Sequence, residues 1–285
     1  MQPLQGRVAV ITGAASGIGL ALAQRFAREG MRLVLADIEA AALARVQAQF
    51  QAQGVPALAV QVDVMDEAQV AALADAAYRR YGAVHLLCNN AGVTAPALRA
   101  PTWETRTADW QWVLGVNLMG VVHGVRAFVP RMLAGGEPGH IVNTASVAGL
   151  ISGPGPYFAS KHGVVCLSEG LYKDLRAAGA KLSASVLCPG LIRTAILDAE
   201  RNRAAAFGGA TDLSTLPEAS QRAAAGFRES LQAGYEPAQV ADAVADAVRD
   251  DRFYIVPAQA PLVEMLRLRM QDILEGRNPS LPPGR

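Results

Sequence analysis

Short apolar runs alternate with amphipathic stretches through the first two-thirds of the chain, a pattern that predicts repeated β-α units. RVAVIT (7–12), MRLVLAD (31–37), VPALAVQV (55–62), AVHLLCN (83–89), GHIVNTAS (139–146) and KLSASVLCP (181–189) read as strands. Helical patterning fills 16–30, 39–53, 66–81, 107–133 and 156–178, with Gly30 and Gly54 as stops and Asp66 as an N-cap. Apolar strands interleaved with helices predict an α/β fold: a doubly wound parallel sheet with helices on both faces. No composition break marks a second domain, so 1–285 reads as one. The segment 195–235 has weak periodicity and is followed by a capped helix (236–248), a short strand (252–257) and a helix (261–275). Leu262, Leu266, Met270 and Leu274 make one face of that last helix apolar. Docking on the chain's own core is the first expectation for it, and docking on another subunit the second. The tail after Gly276 reads as loose.

Composition narrows the classes of function. The 285 residues are 51% hydrophobic and 18% charged with a net charge of +1, as in a globular protein. Such balance disfavours a nucleic-acid or membrane-surface binder. No uninterrupted apolar run of about eighteen residues and no leader pattern is present, which points to the cytoplasm. Cys88, Cys166 and Cys188 are far apart among apolar neighbours and read as reduced, packed thiols. No metal is expected.

The candidate chemistry gathers at strand ends. Thr12-Gly13-Ala14-Ala15-Ser16-Gly17-Ile18-Gly19 lies between the first strand and helix, where glycines let backbone N–H groups approach a pyrophosphate. Its Gly-x-x-x-Gly-x-Gly spacing could also serve a plain tight turn. Asp37 ends the second strand, where a carboxylate can accept both adenosine ribose hydroxyls and repel a 2′-phosphate, or cap the next helix. Ser16 and Ile38 occupy positions where a 2′-phosphate would want a cation, and Arg32 lies at the far end of the strand; NAD is favoured over NADP. Asp63-Val64 and Asn89-Asn90-Ala91-Gly92 follow the third and fourth strands into the same cleft, although a cap and an ordinary turn would also account for them.

Tyr157 and Lys161 are four residues apart, so a helix puts them on one face. With six tyrosines and three lysines in the chain, chance supplies such a pair about 0.06 times. A tyrosine acting as general base near neutral pH needs adjacent positive charge, and Lys161 is placed to provide it. Ser146 and Thr144 share a face at the end of the fifth strand, where a hydroxyl can hydrogen-bond a reacting oxygen. Asn117 is an amide among apolar neighbours, either functional or satisfied by backbone. Pro189-Gly190-Leu191-Ile192-Arg193-Thr194 follows the sixth strand and could hold a carboxamide or simply turn the chain.

This ordered set, Thr-Gly-x-x-x-Gly-Ile-Gly, Asn-Asn-Ala-Gly, Asn-x-x-Ser, Tyr-x-x-x-Lys and Pro-Gly-x-x-x-Thr, resembles the short-chain dehydrogenase/reductase family over about 1–194 plus 252–257. The resemblance implies a seven-stranded Rossmann sheet and a tetrad of Asn117, Ser146, Tyr157 and Lys161. Tyr157 would exchange the hydroxyl proton, Ser146 polarise the substrate oxygen, Lys161 lower the tyrosine pKa and hold ribose, and Asn117 position a relay water. Ile192 and Thr194 match the stretch that holds the nicotinamide amide, and Tyr157 and Lys161 also match cofactor contacts. One departure stands out: Ser146 precedes Tyr157 by 11 residues, about two short of the usual spacing, which Thr144 would satisfy. The context after Asn143 favours Ser146 with a shortened loop.

The expected activity is NAD-dependent hydride transfer between a secondary alcohol and a ketone, on a moderately bulky hydrophobic or aryl substrate. The alternatives are an NADPH-dependent carbonyl or 3-oxoacyl reductase and a silent dinucleotide-binding scaffold. Residues 195–235 would form the substrate lid, with 94–106 and 149–156 shaping the pocket; Phe207, Leu213, Leu216, Phe227 and Leu231 suggest its apolar underside or plain core. The resemblance also implies a homodimer or homotetramer packed through 107–133 and 156–178. Gly115, Gly120, Gly124, Ala159, Gly163 and Gly170 there permit close helix contact.

Overall fold

The computed structural model describes residues 3–95, 101–211, 213–215 and 218–280. The side chains of Leu213 and Leu216, positions 96–100 of the expected pocket and the tail beyond Ser280 lie outside what is described. Seven parallel strands, β1 (Val8–Thr12), β2 (Arg32–Asp37), β3 (Ala57–Gln61), β4 (Leu86–Asn89), β5 (Gly139–Thr144), β6 (Leu182–Leu187) and β7 (Tyr254–Ile255), run in the order β3-β2-β1-β4-β5-β6-β7. Val10 of β1 pairs with Val34 on one side and Leu87 on the other. Strand order reverses between β1 and β4, so the loops leaving their carboxyl ends diverge and open a crevice.

Strand alternation divides the core. Ala9, Ile11, Leu33 and Leu35 pack with α1 (Gly17–Arg28), α2 (Ala40–Ala52) and α8 (Pro237–Asp250), including the fully buried Leu22, Phe26 and Val244. Val8, Val10, Val34 and Leu87 point the other way, onto α3 (Glu67–Tyr81), α4 (Thr107–Leu114) and α5 (Gly120–Gly135). Burial of a side chain such as Phe26 contributes about 1.5–3 kcal/mol. Asp66 caps α3 by accepting from Ala68 and Gln69 N–H, and α6 (Gly155–Ala177) covers β5 and β6.

Several expectations are corrected. The helix expected at 107–133 is broken by a π turn, Gly115–Met119, that contains Asn117. Its span Thr107–Gly135 is long and apolar enough to cross a membrane, yet half of the apolar window is buried inside this fold, as in a core helix. Three of the glycines assigned to subunit contact face inward. A Cβ at Gly115 would lie 2.3 Å from the Met65 methyl, at Gly120 2.8 Å from Val64, and at Gly124 2.0 Å from Asn89 Oδ1. Cys88 and Cys188 are packed, whereas Cys166 is exposed on α6. The tail is tied as far as Ser280, whose N–H meets Asp272 Oδ2 at 2.9 Å.

Residues 195–235 hold more structure than their periodicity suggested: 3₁₀ turns at Ile196–Asn202, Ala205–Phe207 and Leu213–Thr215, then α7 (Glu218–Gln232). The last helix, α9 (Ala260–Leu274), does not dock its whole apolar stripe on the core. Leu262 and Leu266 are half-buried, but Met270 is exposed and Leu274 is 86% exposed.

Candidate active site

The turn after β1 is built for close approach. A Cβ at Gly19 would sit 2.0 Å from Gly13 O, and one at Gly13 2.9 Å from Ala91 Cα, so only glycine fits either position. Thr12 Oγ1 accepts the N–H groups of Asn90 (2.9 Å) and Ala91 (3.1 Å), and Asn90 Nδ2 donates to Thr12 O at 3.0 Å. The Asn-Asn-Ala-Gly segment thus braces the glycine turn. Ser16 occupies the N-cap of α1, and its side chain makes no capping bond. Backbone N–H groups at this helix start favour an anion.

Asp37 does not cap α2, whose N-cap position is Glu39. Its Oδ2 accepts Ala15 N–H at 2.9 Å and its Oδ1 accepts Glu39 N–H at 3.1 Å. One bond to each oxygen fixes the carboxylate and leaves lone pairs for further donors. Asp63 is also not a helix cap: its Oδ1 accepts Met65 N–H at 2.9 Å in a local turn, which aims Val64 into the crevice.

At the other end, Tyr157 and Lys161 rise one turn apart on α6. Lys161 is 3% exposed and its Nζ donates to Thr144 O at 3.0 Å. Burial brings its pKa from 10.5 to about 8. Burial raises the Tyr157 phenol above its usual value, and hydrogen bonding with the Ser146 hydroxyl works in the opposite direction. Lys161 Nζ lies 5.7 Å from the Tyr157 ring centroid, one helical turn from the phenol. The compact loop brings Ser146 rather than Thr144 to the tyrosine; Thr144 Oγ1 donates instead to Asn90 Oδ1 at 3.4 Å.

Asn117 is fully buried and does not line the cavity. Its Oδ1 accepts Val93 N–H (2.8 Å) while its Nδ2 donates to Val93 O (2.9 Å) and Ser160 Oγ (3.1 Å). Ser160, which the sequence reading passed over, in turn donates to Tyr157 O at 2.7 Å. Asn117 therefore ties the π turn, the strand-end segment at Val93 and the tyrosine turn together. The Ser within Tyr-Phe-Ala-Ser-Lys was the one signal available.

A cavity of about 470 Å³ connects these groups. It is lined by Gly13, Ser16, Gly17, Ile18, Asp37, Ile38, Asp63, Val64, Asn90, Ala91, Gly92, Ser146, Tyr157, Lys161, Pro189, Gly190, Ile192 and Thr194. Gly19, packed against Gly13 O, does not line it. The wall beside Tyr157 is apolar: Trp112, Val116, Ile151, Phe158, Phe207 and Phe227. Phe207, Phe227 and Leu231 thus line the cavity. Trp112, Phe158 and the ties of the 196–211 segment were not legible in the sequence. Arg203, whose side chain is 0% exposed, pairs with Asp109 (2.5 Å) and Glu200 (3.3 Å) and lies 5.1 Å over the Trp112 ring. Arg201 and Asn202 both bond Glu39 across the adjoining end, at 2.5 and 3.0 Å.

The glycine turn, which a Cβ would fill, and the half-committed Asp37 carboxylate fit a dinucleotide. Comparison with known proteins agrees with this geometry. The short chain dehydrogenase family profile matches residues 7–205. A crystal structure of a short chain dehydrogenase/reductase from Burkholderia phymatum in complex with NAD is 46% identical, with all of both chains covered and a TM-score of 0.93. The 1-deoxy-11-beta-hydroxypentalenate dehydrogenase of Streptomyces exfoliatus is 38% identical over 98% of this chain and 92% of its own. The C alpha-dehydrogenase of a Sphingobium species is 36% identical over 90% and 82%. With the sheet order, the glycine turn and these matches in accord, the chain belongs to the short-chain dehydrogenase/reductase family of oxidoreductases.

Proposed function

We propose that this protein is an NAD-dependent dehydrogenase of uncharged, moderately bulky hydrophobic or aryl secondary alcohols, working reversibly with the ketones. The observation that carries the cofactor choice is Asp37, fixed by two backbone N–H groups with its remaining lone pairs facing the crevice. Adenosine ribose hydroxyls can donate to it, whereas a 2′-phosphate would meet its charge. Arg201 also lines that end, but its guanidinium is engaged by Glu39, a second carboxylate. The NAD complex of the Burkholderia phymatum relative and the dehydrogenase names of the others support the same reading.

With adenosine ribose at Asp37 and pyrophosphate on the glycine turn, Tyr157, Lys161 and the 189–194 segment would hold the nicotinamide end. Bound there, the dinucleotide supplies the hydride acceptor or donor and, when oxidised, a positive charge. Tyr157, as the phenolate, takes the alcohol proton at its side-chain oxygen and, as the phenol, returns it in the reverse direction, while Ser146 donates to the substrate oxygen. Lys161 holds a ribose hydroxyl and keeps a cation near the phenol. Asn117 is assigned a positioning role, since its side chain is committed to Val93 and Ser160. The apolar wall from Trp112 to Phe227 excludes water from the reacting centre and selects against charged substrates.

The test is turnover of a panel of alkyl and aryl secondary alcohols with NAD and, separately, NADP. NAD is expected to support turnover at least tenfold better; preference for NADP would overturn the Asp37 argument. We also infer self-association as a dimer or tetramer, supported by exposed Met119 and Leu133 on the α4–α5 rod and by the outer half of α9.

A further inference from the structure

The segment after β6 is held by a clamp that neither motif nor mechanism has used. Val186, Cys188 and Gly190 donate their N–H groups to Phe253, Ile255 and Pro257 carbonyls at 2.8, 2.7 and 3.0 Å. The parallel ladder therefore continues past β6 as far as Gly190. Pro257, with no N–H, contributes only its carbonyl, and the ladder ends beyond it as the chain turns into α9. Leu191 comes next, at the edge of the cavity.

Both of its backbone groups are taken by one side chain. Gln259, the N-cap residue of α9, accepts Leu191 N–H at Oε1 (3.0 Å) and donates from Nε2 to Leu191 O (2.8 Å). An uncharged amide offers a donor and an acceptor side by side, so it replaces one rung of a backbone ladder. Gly190 leaves room for it: a Cβ there would lie 2.4 Å from Gln259 Oε1. On the other side, Tyr235 N–H also donates to Leu191 O (3.0 Å) and Arg193 N–H donates to Tyr235 O (2.9 Å). Leu262, one turn into α9, faces the same cavity. The first turn of the C-terminal helix is thus part of the site wall.

We infer that Gln259 is a positioning residue for the nicotinamide half of the dinucleotide: by clamping Leu191 it fixes the 189–194 segment against Tyr157 and couples α9 to that end of the cleft. This rests on the reading of the cavity as a dinucleotide site. The adenosine half, set by Asp37 and the glycine turn, is on the other side of the switch point and does not depend on the clamp.

The experiment compares the binding of NADH and of ADP-ribose, which lacks nicotinamide, by calorimetry in the wild type, Gln259→Ala and Gln259→Glu. Glutamate keeps an acceptor for Leu191 N–H and loses the donor to Leu191 O. In both variants the NADH dissociation constant is expected to rise about tenfold, the scale of one or two lost hydrogen bonds, with ADP-ribose unchanged within about twofold. Equal weakening of both ligands, including complete loss through misfolding, overturns the inference and leaves Gln259 a general structural tie. Unchanged NADH affinity overturns it too. Failure of the wild type to bind either ligand sinks the dinucleotide reading itself, a result distinct from these.

Discussion

Lys161 carries a cost that a measurement can expose. Its pKa falls from 10.5 to about 8 because burial penalises the ammonium. Between those values the unfolded chain holds a proton that the folded chain has released, so this group's contribution to stability rises with pH across that window. Lys161→Met should remove the rise; the wild type, relative to the variant, is expected to gain up to roughly 3 kcal/mol from pH 7 to pH 10.5 in denaturant unfolding. A flat difference would place the lysine in a more solvated setting. Ser160→Ala leaves Asn117 Nδ2 with one bond fewer and the Tyr157 backbone carbonyl without its hydroxyl donor, and is expected to destabilise the protein by about 1–3 kcal/mol while turnover falls. Tyr157, Lys161 and Ser146 were legible in the sequence because their relation is local: one helical turn, and a strand end. The commitments of Asn117 were not, since its partners at Val93 and Ser160 are 24 and 43 positions away.

The segment after β6 is anchored by a buried charge cluster between separate elements. Arg203 lies between Asp109 of α4 and Glu200 of the 3₁₀ turn, with Arg106 bonding Asp109 from the other side at 2.9 and 3.1 Å. Arg203 Nε also donates to Phe207 O at 2.8 Å, so one guanidinium sets both Trp112 and Phe207. Removing it leaves the nearly buried Glu200 carboxylate without its cation and Asp109 with Arg106 alone, at a cost of up to about 3–5 kcal/mol. Arg203→Met is expected to raise hydrogen exchange across 195–211 while β1, β4 and β5 keep their protection. Equal loss in the sheet would show that the cluster supports the whole fold rather than this segment. Sequence pattern missed this element because α7 has few apolar residues, with Phe227 and Leu231 as its visible contacts, and because ion pairs leave no periodic trace. The strands were readable for the opposite reason: burial on both faces makes them nearly continuous apolar runs.

For the whole molecule, the alternation of strands and helices led to the doubly wound sheet, and the reversal between β1 and β4 located the crevice. Surface association was the least legible property. The inward packing of Gly115, Gly120 and Gly124 explains those glycines within the chain and withdraws them as evidence for helix contact between subunits. Exposed Leu268, Met270, Ile273 and Leu274 on α9 take their place as support. Sedimentation at micromolar concentration is expected to give a multiple of 29.9 kDa; a monomer would contradict the assembly. The central claim is that Tyr157 transfers the proton in an NAD-dependent alcohol oxidation. Its most direct test follows the reduced-nicotinamide absorbance band with NAD and the best secondary alcohol of the panel, in the wild type and in Tyr157→Phe, with NADH affinity measured alongside. Turnover lost by at least a hundredfold with NADH binding retained is the predicted result. Undiminished turnover in the variant would contradict the account.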